Sequence, residues 1–219
     1  KIFKKEYIRT VDGIVCHIFH NKPRKKYCVW NIEKKYPHHP IKLGGIKGLR
    51  IIRENSSIIK VKLIYMFKNS KIIQYVILRA EASNIEFQTE MEIFDKNMIF
   101  KIRFPFNLNT NELISEIPYG ALKRKIIPET DFEKAKWEFP VQKWVAISDQ
   151  EYGLVLVNDS KYGFSSTKKG LYMTLLNTPH YPTDPFFSYI KRVPRREREK
   201  YIDQGHHTIN YALKIFEGD

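Results

Sequence analysis

Cysteine is nearly absent: Cys16 and Cys28 are the only two in 219 residues. They form no CxxC motif and no zinc-ribbon spacing, which removes a metal clip and a redox pair from consideration. Two free or buried thiols suit a reducing compartment, so a cytoplasmic location is expected. A Cys16–Cys28 disulfide is the alternative. Long apolar runs are missing too. None approaches the roughly 18–20 uncharged residues that a membrane helix needs, and the basic start Lys1–Lys5 is not followed by the apolar stretch and cleavage site of a secretory signal. No membrane partner is expected. The chain opens in strand-like text without an initiator Met, which reads as the start of a fragment. Nucleophile elbows, phosphate loops, HxH and HExxH are all absent. The doublets His38-His39 and His206-His207 point to opposite faces of an extended chain, so neither supplies two ligands to one metal. Leu43–Gly48 is Gly-rich but precedes no helix, so it reads as a turn. We assign no catalytic residue, no metal ligand and no cofactor to these residues.

Acidic residues are in deficit, with 24 against 38 Lys and Arg and a net charge of +14. Such a balance invites a nucleic-acid partner. The basic residues are spread along nearly the whole chain, however, and alternate with apolar ones, as in Ile59-Lys60-Val61-Lys62-Leu63. That is the pattern of a solvated strand face, and no nucleic-acid partner is expected. Only Lys191–Lys200 is a concentrated basic run, diluted by Glu197 and Glu199.

What is present is strand text. Apolar residues make up 42% of the chain and aromatics 14%, enough to fill a core. Ile58–Phe67, Lys71–Leu78, Ile85–Phe94 and Met98–Phe106 follow one another closely. Ile85, Phe87, Thr89, Met91 and Ile93 share one face of the third, with Glu86, Gln88, Glu90 and Glu92 opposite. Met98, Phe100, Ile102, Phe104 and Phe106 share one face of the fourth, with Lys101 and Arg103 opposite. With Asp95-Lys96 as a turn, the two are expected to pair, setting Glu90 across from Lys101 on a charged outer face. Phe87 and Phe104 are expected to be buried. Leu113–Tyr119, Lys136–Phe139, Trp144–Ser148, Gly153–Val157, Leu171–Asn177 and His207–Phe216 complete the strand candidates. Tyr189–Asp203 is a candidate short helix interrupted by Pro194. The spacing predicts an all-β fold, one large antiparallel β-sandwich over residues 1–219, with 1–47 as an irregular lead-in.

The most distinctive polar cluster is Asn158-Asp159-Ser160-Lys161-Tyr162-Gly163, directly after the apolar run Leu154–Val157. Val155 and Val157 alternate with Leu154 and Leu156, so the strand is expected to be buried on both faces. Asn158, Asp159, Lys161 and Tyr162 would then bring donors, an acceptor and a ring to one rim, a composition suited to sugar hydroxyls. Taken alone, the cluster fits a hairpin corner stabilised by Asx hydrogen bonds better.

Five segments carry a resemblance. Glu116–Arg124 (EIPYGALKR) resembles an E-I-P-F-G strand with its following basic residue, and Trp137–Trp144 (WEFPVQKW) resembles F-E-x-P-x-x-x-W. Tyr152–Gly163 is similar to Y-G-V-x-x-L-N-D-x-K-Y-G, and Leu175–Pro182 to L-L-R-S-P-x-Y-P. Gly205–Leu213 resembles G-x-H-x-F-x-Y-A-L. All belong, in this order, to the C-terminal part of glycoside hydrolase family 38 α-mannosidases. Val29-Trp30-Asn31-Ile32 and Phe100–Pro105 agree more loosely. Ser160 stands for a frequent Cys, Lys123 for an acidic residue and Ile209 for Phe, and Lys191–Lys200 resembles an insertion.

The resemblance implies a mutarotase-like supersandwich. It also implies a zinc-dependent, retaining enzyme that removes α-linked mannose from oligosaccharides. Its nucleophile and metal ligands would lie in an upstream α/β barrel and helical bundle, the expected partners of this chain, and zinc is expected there. This β-domain would buttress the barrel, lend Asn158, Asp159, Lys161 and Tyr162 to the substrate rim, and be inactive alone. A free-standing carbohydrate-binding module is the alternative reading.

Overall fold

A computed structural model of the protein describes residues 15–21, 32–41, 46–168, 170–180 and 201–218. Among these residues the chain forms two antiparallel sheets, so the expected large β-sandwich is what the sequence builds. In chain order the strands are β1 (Val15–His20), β2 (Pro40–Ile41), β3 (Gly48–Glu54), β4 (Ile58–Phe67), β5 (Ser70–Arg79), β6 (Asn84–Ile93), β7 (Met98–Phe104), β8 (Glu112–Ile117) and β9 (Gly120–Lys125). They continue with β10 (Phe139–Pro140), β11 (Trp144–Ser148), β12 (Tyr152–Asn158), β13 (Gly163–Thr167), β14 (Gly170–Asn177) and β15 (Gly205–Glu217). A 3-10 turn, η1 (Tyr36–His38), follows β1, and one short helix, α1 (Asp131–Lys134), precedes β10. Thr130 caps α1 in a reciprocal box with Glu133.

The smaller sheet runs β10-β13-β14-β7-β1-β2, the larger β3-β4-β5-β6-β15-β12-β11-β8-β9. Their facing sides share one apolar core. Phe87 and Met91 of β6, Leu154 and Leu156 of β12, and Leu213 of β15 meet Ile18 of β1, Phe100 and Phe104 of β7, and Leu171 and Met173 of β14. Every one of these is buried. Each large side chain so removed from water contributes about 1.5–3 kcal/mol before entropy is counted.

The structure corrects the pairing of β6 with β7. The apolar faces are as expected, with Phe87 and Phe104 buried. The strands, however, belong to opposite sheets: β6 lies between β5 and β15, and β7 between β14 and β1. Period-2 alternation fixes which side a residue faces but not which strand lies alongside it. Phe87 and Phe104 therefore meet edge-to-face across the interlayer, their centroids 6.2 Å apart. The link between the strands is a crossover with buried polar anchors. Ser70 donates to the Asp95 carboxylate at 2.6 Å, and Thr178 donates to the Asp95 carbonyl at 2.9 Å. Asn97 adopts a φ of 56° as the chain turns into β7.

The expected Glu90–Lys101 pair fails with that register. Glu90 lies opposite Ile73 and Thr208, and Lys101 lies opposite His17 and Thr174. Lys101 and Arg103 are 1% and 6% exposed rather than solvated, because β7 is covered on both sides. β1 lies inside the stretch expected to be irregular. β3, β9 and β13 were not anticipated. The first two are edge strands with mostly exposed residues, so they carry no alternation to read. The candidate strand Lys136–Phe139 reduces to Phe139–Pro140 at a sheet edge, where the missing N–H of Pro140 is tolerated. Cys28, Val29, Trp30 and Asn31, residues 43–45, Tyr181 and Pro182, the 191–200 run and residues 189–200 of the candidate helix lie outside the described residues.

Gly170 is one position where only glycine fits. Its φ is +154°, and a Cβ there would come 2.7 Å from the Phe104 carbonyl oxygen. No helix among the described residues is long and apolar enough to cross a membrane.

Candidate functional site

The corner after β12 is built from the strand outward. Leu154 and Leu156 face the core at 2% and 0% exposure, whereas Val157 is 42% exposed. The expectation of burial on both faces is thus corrected. β12 is an interior strand of the larger sheet, but the side carrying Val155 and Val157 is turned away from the sandwich. The strand is nonetheless fixed at its end by ladder pairing with β11 and β15.

Asn158 terminates it and is buried. Its Oδ1 accepts from the backbone N–H groups of Ser160 at 3.1 Å and Lys161 at 2.6 Å. Its Nδ2 donates to the carbonyls of Gln142 at 3.4 Å and Lys143 at 3.3 Å. The oxygen closes an Asx turn and the nitrogen ties that turn to residues 142–143, so both ends of the amide are spent on the corner.

Asp159 accepts from Asn210 Nδ2 at 2.9 Å and from Ser160 Oγ at 2.8 Å. Burial pushes its carboxyl pKa up, but these hydrogen bonds outweigh it and hold the group below the ordinary aspartate value. Lys161 is half-buried. Burial draws its ammonium pKa down, opposed by the carboxylates of Asp203 and Asp159. Among the described residues that ammonium has no hydrogen-bond partner. Tyr162 is 57% exposed, and its carbonyl accepts from Val141 N–H at 2.9 Å. Of the four predicted rim residues, Asn158 and Asp159 therefore form the corner, while Lys161 and Tyr162 present unspent side-chain groups from it.

Beside Asp159, on the outer side of the larger sheet, lies an open depression of about 440 Å³ whose lining includes Glu86, Gln88, Val157 and Asn210. Sequence reasoning missed Asn210, although it sits in the GHHTINYAL segment. A second polar assembly lies on the outer side of the smaller sheet. Lys101 donates to Tyr36 Oη at 2.8 Å and to Ser165 Oγ at 2.9 Å. It also pairs with Glu138 Oε1, to which Tyr36 donates in turn. Among the described residues, no three or more His, Cys, Asp or Glu side chains gather where they could hold a metal ion.

Comparison with known families decides the affiliation. The pattern of the glycosyl hydrolases family 38 C-terminal domain matches residues 1–185. The chain belongs to glycoside hydrolase family 38. Mouse alpha-mannosidase 2C1 is 27% identical over 156 residues, covering 71% of this chain and 14% of that protein. A yeast (Saccharomyces cerevisiae) alpha-mannosidase is 28% identical over 135 residues, covering 61% and 11%. In three dimensions, an alpha-mannosidase from Enterococcus faecalis superposes with a TM-score of 0.68 at 12% identity, covering 94% of this chain and 26% of that one. The chain thus spans about a seventh of the mouse relative's length and about a quarter of the bacterial one.

The family 38 motifs can now be placed in the fold. EIPYG is the β8–β9 hairpin, with Tyr119 fully exposed at its tip and a φ of 64°. Glu116 ties the hairpin to the next motif, accepting from Lys143 N–H at 2.7 Å. Ser160, in the place of the family's frequent Cys, donates to Asp159. Ile209, in place of Phe, is 1% exposed in the core. Glu138 of the WEFP segment is the carboxylate that meets Lys101.

Proposed function

We propose that the protein acts as a zinc-dependent, retaining α-mannosidase on α-linked mannose in oligosaccharides, with this chain as its C-terminal β-domain. The observation that carries this reading is the match of the family 38 C-terminal domain to residues 1–185, together with relatives that are alpha-mannosidases. In this reading the nucleophile, the zinc and its ligands belong to an α/β barrel and helical bundle outside these residues. The β-domain supports that barrel, and Lys161 and Tyr162 reach the substrate from a corner that Asn158 and Asp159 hold rigid. Held in place by backbone and Asx bonds, such groups meet a sugar hydroxyl or ring face without further ordering.

Two outcomes test the proposal. The 219-residue chain alone should release no chromophore from an aryl α-mannoside and retain no stoichiometric metal after dialysis, measured by elemental analysis. Turnover surviving purification, or one zinc per chain, would contradict it. In the full-length protein, Lys161→Ala should lower kcat/KM for α-mannosides by about ten-fold, equivalent to about 1.4 kcal/mol of transition-state binding. The melting temperature should change little, since Lys161 is not a core residue. An unchanged kcat/KM would remove Lys161 from the substrate rim.

A further inference from the structure

The outer side of the smaller sheet borders an open cleft of about 900 Å³, whose other walls come from η1, β9 and residues 126–137. We propose that this cleft binds an anionic saccharide, one bearing a phosphate or a carboxylate. None of Asn158, Asp159, Lys161 and Tyr162 lines it, so this inference stands or falls apart from the proposed rim.

Charge is the first argument. Of the basic groups along the cleft, Lys101 is met by Glu138, Lys125 by Glu129 at 3.5 Å and Lys134 by Asp131 at 3.5 Å. Lys34, Lys123, Arg124 and Lys136 also line it and have no carboxylate partner among the described residues. Glu112 and Glu133 line the cleft as well, so four cations without a carboxylate partner stand against two carboxylates, and the excess positive charge is relieved when an anion sits among them. A neutral glycan would leave that excess in place.

The walls are the second argument. Trp137 and Tyr172 line the same cleft, and such rings offer flat apolar faces with polar edges, which suit the C–H face of a pyranose. The Lys34 ammonium lies over the Trp137 ring, 5.8 Å from its centroid, so cation and ring belong to one wall. The floor is the third. Lys101 is only 1% exposed and held by three oxygens, which fixes the position of Ser165. Ser165 Oγ accepts from Lys101 and lies beside Tyr36 in the same polar floor. The volume lies within the range of small-molecule sites, about 300–1,000 Å³, and suits a few sugar rings rather than a polymer.

The test is titration of the full-length protein, followed by calorimetry. Mannose 6-phosphate and glucuronate represent the two anion sources, and mannose and inorganic phosphate are the controls. At least one acidic sugar should bind about ten-fold or more tightly than mannose, corresponding to about 1.4 kcal/mol. Whichever acidic sugar binds more tightly identifies phosphate or carboxylate as the preferred group. Affinity should fall as salt is raised. The double variant Lys123→Glu/Lys136→Glu should lose that binding by about ten-fold or more while its circular dichroism and melting temperature are kept. Trp137→Ala should weaken the acidic sugar but not inorganic phosphate. Inorganic phosphate binding as tightly as the tighter of the two acidic sugars would overturn the proposal in favour of plain surface charge. Mannose binding that the Lys123→Glu/Lys136→Glu variant loses to the same extent, or acidic-sugar binding that this variant leaves unchanged, would overturn it as well.

Discussion

Lys101→Met should cost the folded state about 3–5 kcal/mol, whereas adding Glu138→Leu to it should restore most of that loss. Lys101 is 1% exposed, and its carboxylate partner is 14% exposed. Removing the ammonium leaves the Glu138 charge buried, with one oxygen, Oε2, that has no hydrogen-bond partner even in the intact protein. Removing both charges takes away that penalty, and side chains of similar volume refill the space. Urea denaturation of the two single variants and the double variant gives the coupling directly. Additive losses, or a single-variant cost below about 1 kcal/mol, would show that the pair is not a coupled unit.

Desolvation draws the Lys101 pKa down, with the Glu138 carboxylate opposing it.

Phe104→Ala should also cost about 3–5 kcal/mol, by a different mechanism. Phe104 is 1% exposed on β7 and meets two rings of the opposite sheet. It stands edge-on to Phe87 at 6.2 Å and to Tyr211 at 5.8 Å, while those two stack on each other at 5.1 Å. Tyr211 itself is locked by hydrogen bonds with Gln74 at 2.9 Å and Thr89 at 2.8 Å, so it cannot swing in to fill the void. A cavity that cannot collapse gives the upper end of the range. Val157→Ala, on the exposed side of β12, should change stability by no more than about 0.5 kcal/mol. Urea midpoints measure both. A Phe104→Ala loss below about 1.5 kcal/mol would mean that the two sheets can close over the gap.

These particulars show how far the chain could be read unaided. The inward faces of β6 and β7 were legible residue by residue, because burial imposes period 2 on each strand locally. Their separation into two sheets was not, since it depends on partners distant in sequence, β15 for one and β1 and β14 for the other. Lys101 read as a solvated charge for the same reason. Its partner Glu138 lies 37 positions away, and nothing near Lys101 announces it. The Asn158 corner was legible because an Asx turn closes on residues two and three positions ahead. The Asn210–Asp159 bond spans 51 positions and left no local trace.

Among the described residues the larger sheet ends on β3, which has a neighbour on one side only. Leu49, Ile51 and Ile52 are exposed along it, and a row of open N–H and C=O groups beside such residues is a template for self-association. The strand guards against that with Arg50 and Arg53 and with a shift in register between Ile51 and Arg53 that bends the edge. One of these defences is electrostatic and therefore depends on the buffer. As the screening length shrinks from about 10 Å in 0.1 M salt to about 3 Å in 1 M, neighbouring molecules cease to repel and the bulge alone remains. Concentrated salt, often used to keep a basic protein in solution, would here uncover an adhesive border.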